Sequence, residues 1–206
     1  MEKLLKMIVE NPDTHARWLN TLSMMENAGA KKIKNCEHPV FVNEIILKHS
    51  AEEARHAYYL KKQIQKIKKN SCPTYEKRYL LAPDFSYYYL HSLDVKVCRY
   101  LKTKYGYKND KLKYAAYLLV TYAIEVRADE LYPIYQEILS EFDSPVNVKS
   151  IIAEEENHLE EMVHQLKEFS PDWKKISKDV CTIENELFNK WQMELQKELS
   201  FIFNPI

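Results

Sequence analysis

Glu52-Glu53-Ala54-Arg55-His56 is the stretch that decides the fold. It contains Glu-x-x-His, and a step of three residues is close to one turn of an α-helix. Glu53 and His56 therefore leave the same helix face and can hold one metal ion together. A second copy, Glu154-Glu155-Glu156-Asn157-His158, lies well downstream. Alone, either motif is a weak signal, because a Glu-x-x-His on a charged helix usually sits on a solvated face. The surrounding periodicity sets these two apart.

The helix expected from about Val40 to Lys69 has the stripe Ile45/Ile46, His49, Glu53, His56, Leu60, Ile64, Ile67, so the motif interrupts an apolar seam. The preceding helix, from about Pro12 to Asn35, reads Leu19, Leu22, Glu26, Gly29/Ala30, Ile33, with Glu26 in mid-stripe. Further on, a helix from about Asp110 to Glu141 carries Tyr114, Leu118, Thr121/Tyr122, Glu125, Ala128/Asp129 and Tyr132. Pro133 lies inside it and is expected to kink it or sit in a local bulge. After FDSP, where Asp143 or Ser144 is expected to cap, a helix from Val146 to Phe169 places Glu155, His158/Leu159, Met162 and Leu166 on one side.

Glu26 and Glu53 are 27 residues apart, and Glu125 and Glu155 are 30 apart. In a helix–turn–helix hairpin such separations bring both members of a pair to similar depth. Each half of the chain thus supplies a lone Glu, a turn and a Glu-x-x-His. Packed together, the halves offer four carboxylates and two imidazoles around one point: Glu26, Glu53, His56, Glu125, Glu155 and His158. That donor set suits a pair of iron ions. An unpaired carboxylate buried on an apolar stripe is costly, which argues against four coincidental glutamates.

Three further helices are expected. MEKLLKMIVENP reads as a short helix and not as a signal peptide, since Lys6 breaks its apolar stretch and no small-residue cleavage site follows. Residues 70–83 read as a loop, followed by a helix from Phe85 to Tyr105 that Gly106 ends and that forms the crossover between halves. The last helix, about Ser177 to Phe203, lines up Val180, Ile183, Leu187, Trp191, Leu195 and Leu199. It is expected to pack outside the four-helix core or at a subunit contact. The expected fold is all-α: one domain spanning 1–206, with a four-helix bundle over about 12–169, a crossover helix and an additional C-terminal helix.

Composition narrows the function classes. With 30 basic and 30 acidic residues, no net field favours nucleic acid. Two glycines are too few for a turn-rich β protein. The four cysteines form no C-x-x-C pair, which speaks against a rubredoxin-type or zinc-ribbon centre and against a disulfide framework. No apolar run approaches the ~20 residues of a membrane span. The expectation is a cytoplasmic protein with no membrane partner.

The order Glu, Glu-x-x-His, Glu, Glu-x-x-His over about residues 12–169 resembles the ferritin-like di-iron carboxylate superfamily. That group includes ferritins, rubrerythrins, bacterial multicomponent monooxygenases and ribonucleotide reductase small subunits. Glu52-Glu53-Ala54-Arg55-His56 is similar to the Asp/Glu-Glu-x-Arg-His form of the monooxygenase branch, whereas the second motif has Asn157 where Arg is expected. The resemblance implies two iron ions (or Mn/Fe or Mn/Mn), with Glu154 supporting His56 and Glu52 supporting His158. It further implies an O2-activating oxidase or monooxygenase for a small organic or carrier-bound substrate, with an external electron donor and a possible homodimer. Iron oxidation or peroxide reduction of the ferritin or rubrerythrin kind is the alternative, and a helical binding protein with a vestigial metal site is another.

Some residues stay open at this point. Tyr122, one turn before Glu125, is either a redox or hydrogen-bonding neighbour or plain core. His49, one turn before Glu53, is an extra ligand, a proton carrier or polar packing. Asp129 and Glu130 substitute for Glu125 if the register differs. The lysine runs Lys31, Lys32, Lys34 and Lys61, Lys62, Lys66, Lys68, Lys69 read as solvated faces at helix C-termini, or as a dock for an anionic substrate or carrier.

Overall fold

Where the chain needs to stop being helical, asparagine and proline make it do so. Asn11 caps one helix by accepting from the N–H groups of Asp13 (2.9 Å) and Thr14 (3.2 Å), with Pro12 at the first helical position. Asn43 does the same for the next, through Ile45 (2.9 Å) and Ile46 (3.4 Å). The computed structural model describes residues 1–203, which are all-α. The helices are α1 (Glu2–Glu10), α2 (Pro12–Cys36), α3 (Glu44–Ile67), α4 (Pro83–Tyr105), α5 (Asn109–Glu141), α6 (Lys149–Phe169) and α7 (Trp173–Phe203), with a single 3₁₀ turn at Lys77–Tyr79. No described helix is long and apolar enough to cross a membrane. All four cysteines are free.

Several boundaries differ from expectation, α4 opening at Pro83 and α7 at Trp173, ahead of the expected Phe85 and Ser177. The α3 helix begins at Glu44 and not at Val40, because the His38 imidazole accepts from the N–H groups of Val40 (3.1 Å) and Phe41 (2.9 Å) and holds them in a turn. Likewise α6 begins at Lys149, since the Val148 N–H is taken by the Gln136 side chain at 2.8 Å. Asp143 and Ser144 close α5 instead of opening α6. Asp143 is left-handed at φ 47°, and the Ser144 N–H returns to the Leu139 carbonyl at 2.9 Å. Meanwhile α5 continues through Pro133 as one helix of 33 residues; the carbonyl that loses its donor belongs to exposed Asp129.

Two antiparallel hairpins, α2/α3 and α5/α6, face each other. Ser23 of α2 donates to the Ala57 carbonyl of α3 at 2.6 Å, and Ser50 of α3 to the Ala30 carbonyl at 3.1 Å. These bonds fix the register that sets Glu26 level with Glu53. Against α2 and α5 lies a further layer, α4 and α7. The stripe on α7 faces inward: Val180, Leu187, Leu195 and Leu199 are fully buried. Trp191 packs between Trp18 (5.7 Å) and Tyr89 (6.3 Å), stacked on both. The apolar face expected at a subunit contact is therefore covered within the chain.

One buried ion pair ties this layer down. Glu184 of α7 is 2% exposed, accepts from Arg127 of α5 at 3.0 and 2.8 Å, and accepts from the Tyr89 hydroxyl of α4 at 2.8 Å. Deleting the cation leaves a desolvated carboxylate. Arg127→Leu should therefore lower unfolding free energy by about 3 kcal/mol, read as a shifted urea midpoint. The double variant with Glu184→Leu should recover most of the loss.

His15 of α2 offers a pH readout of the same packing. It is buried, its Nε2 lies 2.6 Å from the Tyr135 hydroxyl, and burial lowers its pKa from 6.5 to about 4. Between those values the unfolded chain binds the proton and the native chain does not. His15 therefore costs stability as pH falls from about 6.5 to about 4, up to about 3 kcal/mol. Urea midpoints measured across that window should fall less steeply in His15→Gln.

Candidate metal centre

The helices α2, α3, α5 and α6 bring all six residues named for a metal to one place. Glu53, His56, Glu125, Glu155 and His158 are buried and Glu26 is half-buried. Their donor atoms form two overlapping groups. Glu26, Glu53, His56 and Glu155 form one; Glu53, Glu125, Glu155 and His158 form the other; within each, the donor atoms lie within 4.8 Å of one another. Glu53 and Glu155, the carboxylates of the two Glu-x-x-His turns, belong to both.

Across the centre α3 and α6 run antiparallel and are joined by three rungs. His49 Nε2 donates to Glu161 at 2.8 Å, His158 Nε2 to Glu52 at 2.8 Å, and His56 Nε2 to Glu154 at 2.7 Å. Each motif thus lends its outer carboxylate to the histidine of the other. A carboxylate can only accept here, so Nε2 carries a proton and each motif histidine turns its Nδ1 inward. His158 Nδ1 is 3.2 Å from Glu155, 3.8 Å from Glu125 and 3.9 Å from Glu53. Glu154 is itself clamped by both Arg55 terminal nitrogens at 2.7 Å each.

The electrostatics call for a cation. Burial, then the neighbouring Glu26 and Glu155 carboxylates, push Glu53 well above the usual carboxyl range; burial, then Glu155, do the same to Glu125. Burial alone would lower His56, but the Glu155 and Glu26 carboxylates outweigh it and raise the imidazole to about 9. His158 is raised in the same way. Protons on buried acids and imidazoles balance the charge here. His56 Nδ1 makes the point sharply. It lies 3.0 Å from Glu155 Oε1 yet is a buried nitrogen without a hydrogen bond. An inward ring nitrogen among carboxylates becomes a ligand once its proton is displaced, and the donor set fits a hard or borderline divalent metal.

The other residues singled out from the sequence fall at different places. His49 is buried, with its ring 4.7 Å from that of His158, between Glu161 and the Tyr117 hydroxyl (3.3 Å); burial lowers its pKa. Asp129 does not join the centre: four residues past Glu125 is about 40° further round the helix, and it ends in solvent. Glu130 is exposed too and pairs with Arg127. Tyr122 is turned toward α7 near Cys181 and hydrogen-bonds none of the six among the described residues. The tyrosine at the centre is instead Tyr132, buried, whose hydroxyl donates to Glu26. It stands on the stripe already quoted, two turns past Glu125, and helical spacing is the signal that finds it. Of the lysines, Lys61 is not simply solvated: it donates to Asn20 and to the Cys72 carbonyl.

One side of the centre opens onto a cavity of about 330 Å³ between α2, α4, α5 and α7, whose lining is mostly apolar. Glu26, Glu53 and Glu125 form part of its wall. Gly29, one turn past Glu26, keeps the space beside Glu53 open: a Cβ there would lie 3.7 Å from Glu53 Oε2.

No protein-family model, curated protein or solved structure matches this chain.

Four carboxylates around one point strain the metal-free protein. Burial and Glu155 hold the Glu125 carboxyl well above its usual range, so folding at neutral pH carries the cost of protonating it. Glu125→Gln removes that cost at nearly constant shape and should stabilise the metal-free protein by about 1 kcal/mol, read as a raised urea midpoint, while weakening retention of added metal. A lowered midpoint would show that Glu125 is stabilising as it stands.

Proposed function

We propose that this is a dinuclear metal centre of the ferritin-like carboxylate type, and that the protein is an O2-activating oxidoreductase, an oxidase or monooxygenase. The observation that carries the reading is the overlap of the two donor groups. Two carboxylates common to both groups, two histidines divided between them and one further glutamate for each make the pattern of a metal pair. Two iron ions are the preferred occupants, with Mn/Fe or Mn/Mn as alternatives. The sequence order on two antiparallel hairpins supports the same assignment.

When bound, a redox-active metal pair supplies electrons and open coordination positions to O2 or peroxide. The chain does the rest. Glu52 and Glu154 hold the ε protons of His158 and His56, fixing both rings with δ nitrogens inward. Tyr132 fixes the Glu26 carboxylate by donating to it. The apolar wall on the α4 and α7 side keeps bulk water from the carboxylates, and Thr121, one turn before Glu125, places a hydroxyl at the cavity surface. An external electron donor would be required as a partner. The walled cavity favours an organic substrate over the iron storage or peroxide removal of ferritin and rubrerythrin types.

Anaerobic Fe(II) loading followed by desalting tests the centre. About two irons per chain should remain in wild type and be lost from Glu53→Ala and Glu155→Ala variants with unchanged far-ultraviolet circular dichroism. Mixing the diferrous protein with O2 should then give an iron-linked absorption transient. Failure to retain iron, and manganese in parallel, would leave the helical binding protein as the surviving reading.

A further inference from the structure

The cavity has a direction. Its lining follows α2 from Leu22 to Cys36 and α5 from Lys113 to Tyr132. At ~1.5 Å per residue these stretches span roughly 20 and 28 Å. A cavity of about 330 Å³ drawn out over roughly 20 Å is elongated, with the proportions of an extended chain. Small side chains, Gly29, Ala116 and Ala128, line its length between bulkier aliphatic ones.

The two ends carry opposite charge. At the inner end stand Glu26, Glu53 and Glu125. At the mouth stand Lys32, Asp94 and Lys113. Lys32 is committed: it pairs with Asp94 at 2.5 Å and donates to the Leu90 carbonyl at 2.6 Å, joining α2 to α4. Lys113 is exposed and makes no ion pair or side-chain hydrogen bond among the described residues. The mouth therefore presents one uncommitted cation, and the apolar channel behind it ends in acids.

We propose that this channel binds a linear amphipath, alkyl tail first, with an anionic head group at Lys113. Carrying a charged head past the apolar wall is costly, so the tail is the end that reaches Glu53 and Glu125. The apolar wall desolvates the methylenes, and exposed Lys113 keeps the head in water. As a statement about substrate this rests on the metal reading above, since only a working centre oxidises the tail; as a statement about binding it does not.

Isothermal titration of metal-free, full-length protein separates the two. The probes, each below its micelle-forming concentration, are dodecanoate, dodecyl phosphate and dodecyltrimethylammonium. Both anions should bind at one site and raise Tm, and the cation should bind more weakly. The tighter of the two anions assigns the head as carboxylate or phosphate monoester. Lys113→Glu should weaken the anions by roughly fivefold and strengthen the cation, as expected for one exposed charge pair. Gly29→Leu fills the channel beside Glu53 and improves helix propensity, so it should abolish binding without loss of fold. No binding by any probe, equal binding of both head charges in Lys113→Glu and wild type, or full affinity in Gly29→Leu would each overturn the proposal. Iron retention is read separately, so failure of the metal centre is not mistaken for failure of the channel.

Discussion

Carboxylates brought together inside a helical protein set the terms for everything around them. Glu53, Glu125 and Glu155 are buried and Glu26 is half-buried, and their mutual repulsion in a medium of low polarisability is a cost that hydrophobic packing elsewhere has to exceed. The fold does so with a deep apolar interior on the far side of α2 and α5, where Trp18, Trp191, Tyr135, Leu93 and Leu101 are almost wholly buried. That layer of α4 and α7 adds apolar burial beyond what the four carboxylate-bearing helices supply, since charged groups interrupt their inner faces. The cavity lies between these two regions, bounded by apolar side chains on one side and acids on the other.

Rigidity at the centre comes from the rungs between α3 and α6. Antiparallel helices three to four residues per turn apart put His49, Glu52 and His56 opposite Glu161, His158 and Glu154, one rung per turn. Each rung joins an imidazole to a carboxylate at the edge of the bundle. Because the carboxylates face outward and the rings inward, solvent reaches the outer acids and not the inner ring nitrogens. Tautomer, ring angle and helix register are set by the same bonds. A slip of one residue would break all three together, which makes the arrangement cooperative in a way that isolated surface ion pairs are not.

Much of this was legible in the sequence, and the residues show why. Helices appear wherever a stripe of Leu, Ile and Ala recurs at helical spacing between prolines, and the six grouped residues stood on those stripes. Helix starts were less visible. Val40-Phe41-Val42 reads as helix on composition, but a single imidazole, His38, satisfies two of its amides in a turn. Tyr122 and Tyr132 both sit on the α5 stripe, but they lie about 80° apart around the helix, on either side of Glu125, and which one reaches the carboxylates depends on how the helix is rotated. The Arg127–Glu184–Tyr89 contact joins three helices far apart in the chain and has no local signature at all. The channel, too, is a shape left between side chains of four helices, and no one-dimensional pattern encodes it.

The departure at Asn157 has a structural account. In a symmetrical arrangement each outer glutamate would have its own arginine. Here Arg55 holds Glu154 with both terminal nitrogens at 2.7 Å, and one of them also lies 3.9 Å from Glu52. One guanidinium therefore spans the outer carboxylates of both motifs, since the rungs bring Glu52 and Glu154 to the same edge of the α3/α6 face. Asn157 instead turns its amide back to the Ala153 carbonyl at 2.8 Å and stays neutral. The asymmetry of the two motifs is thus a consequence of their packing: crossed pairing of acids and histidines makes one cation sufficient.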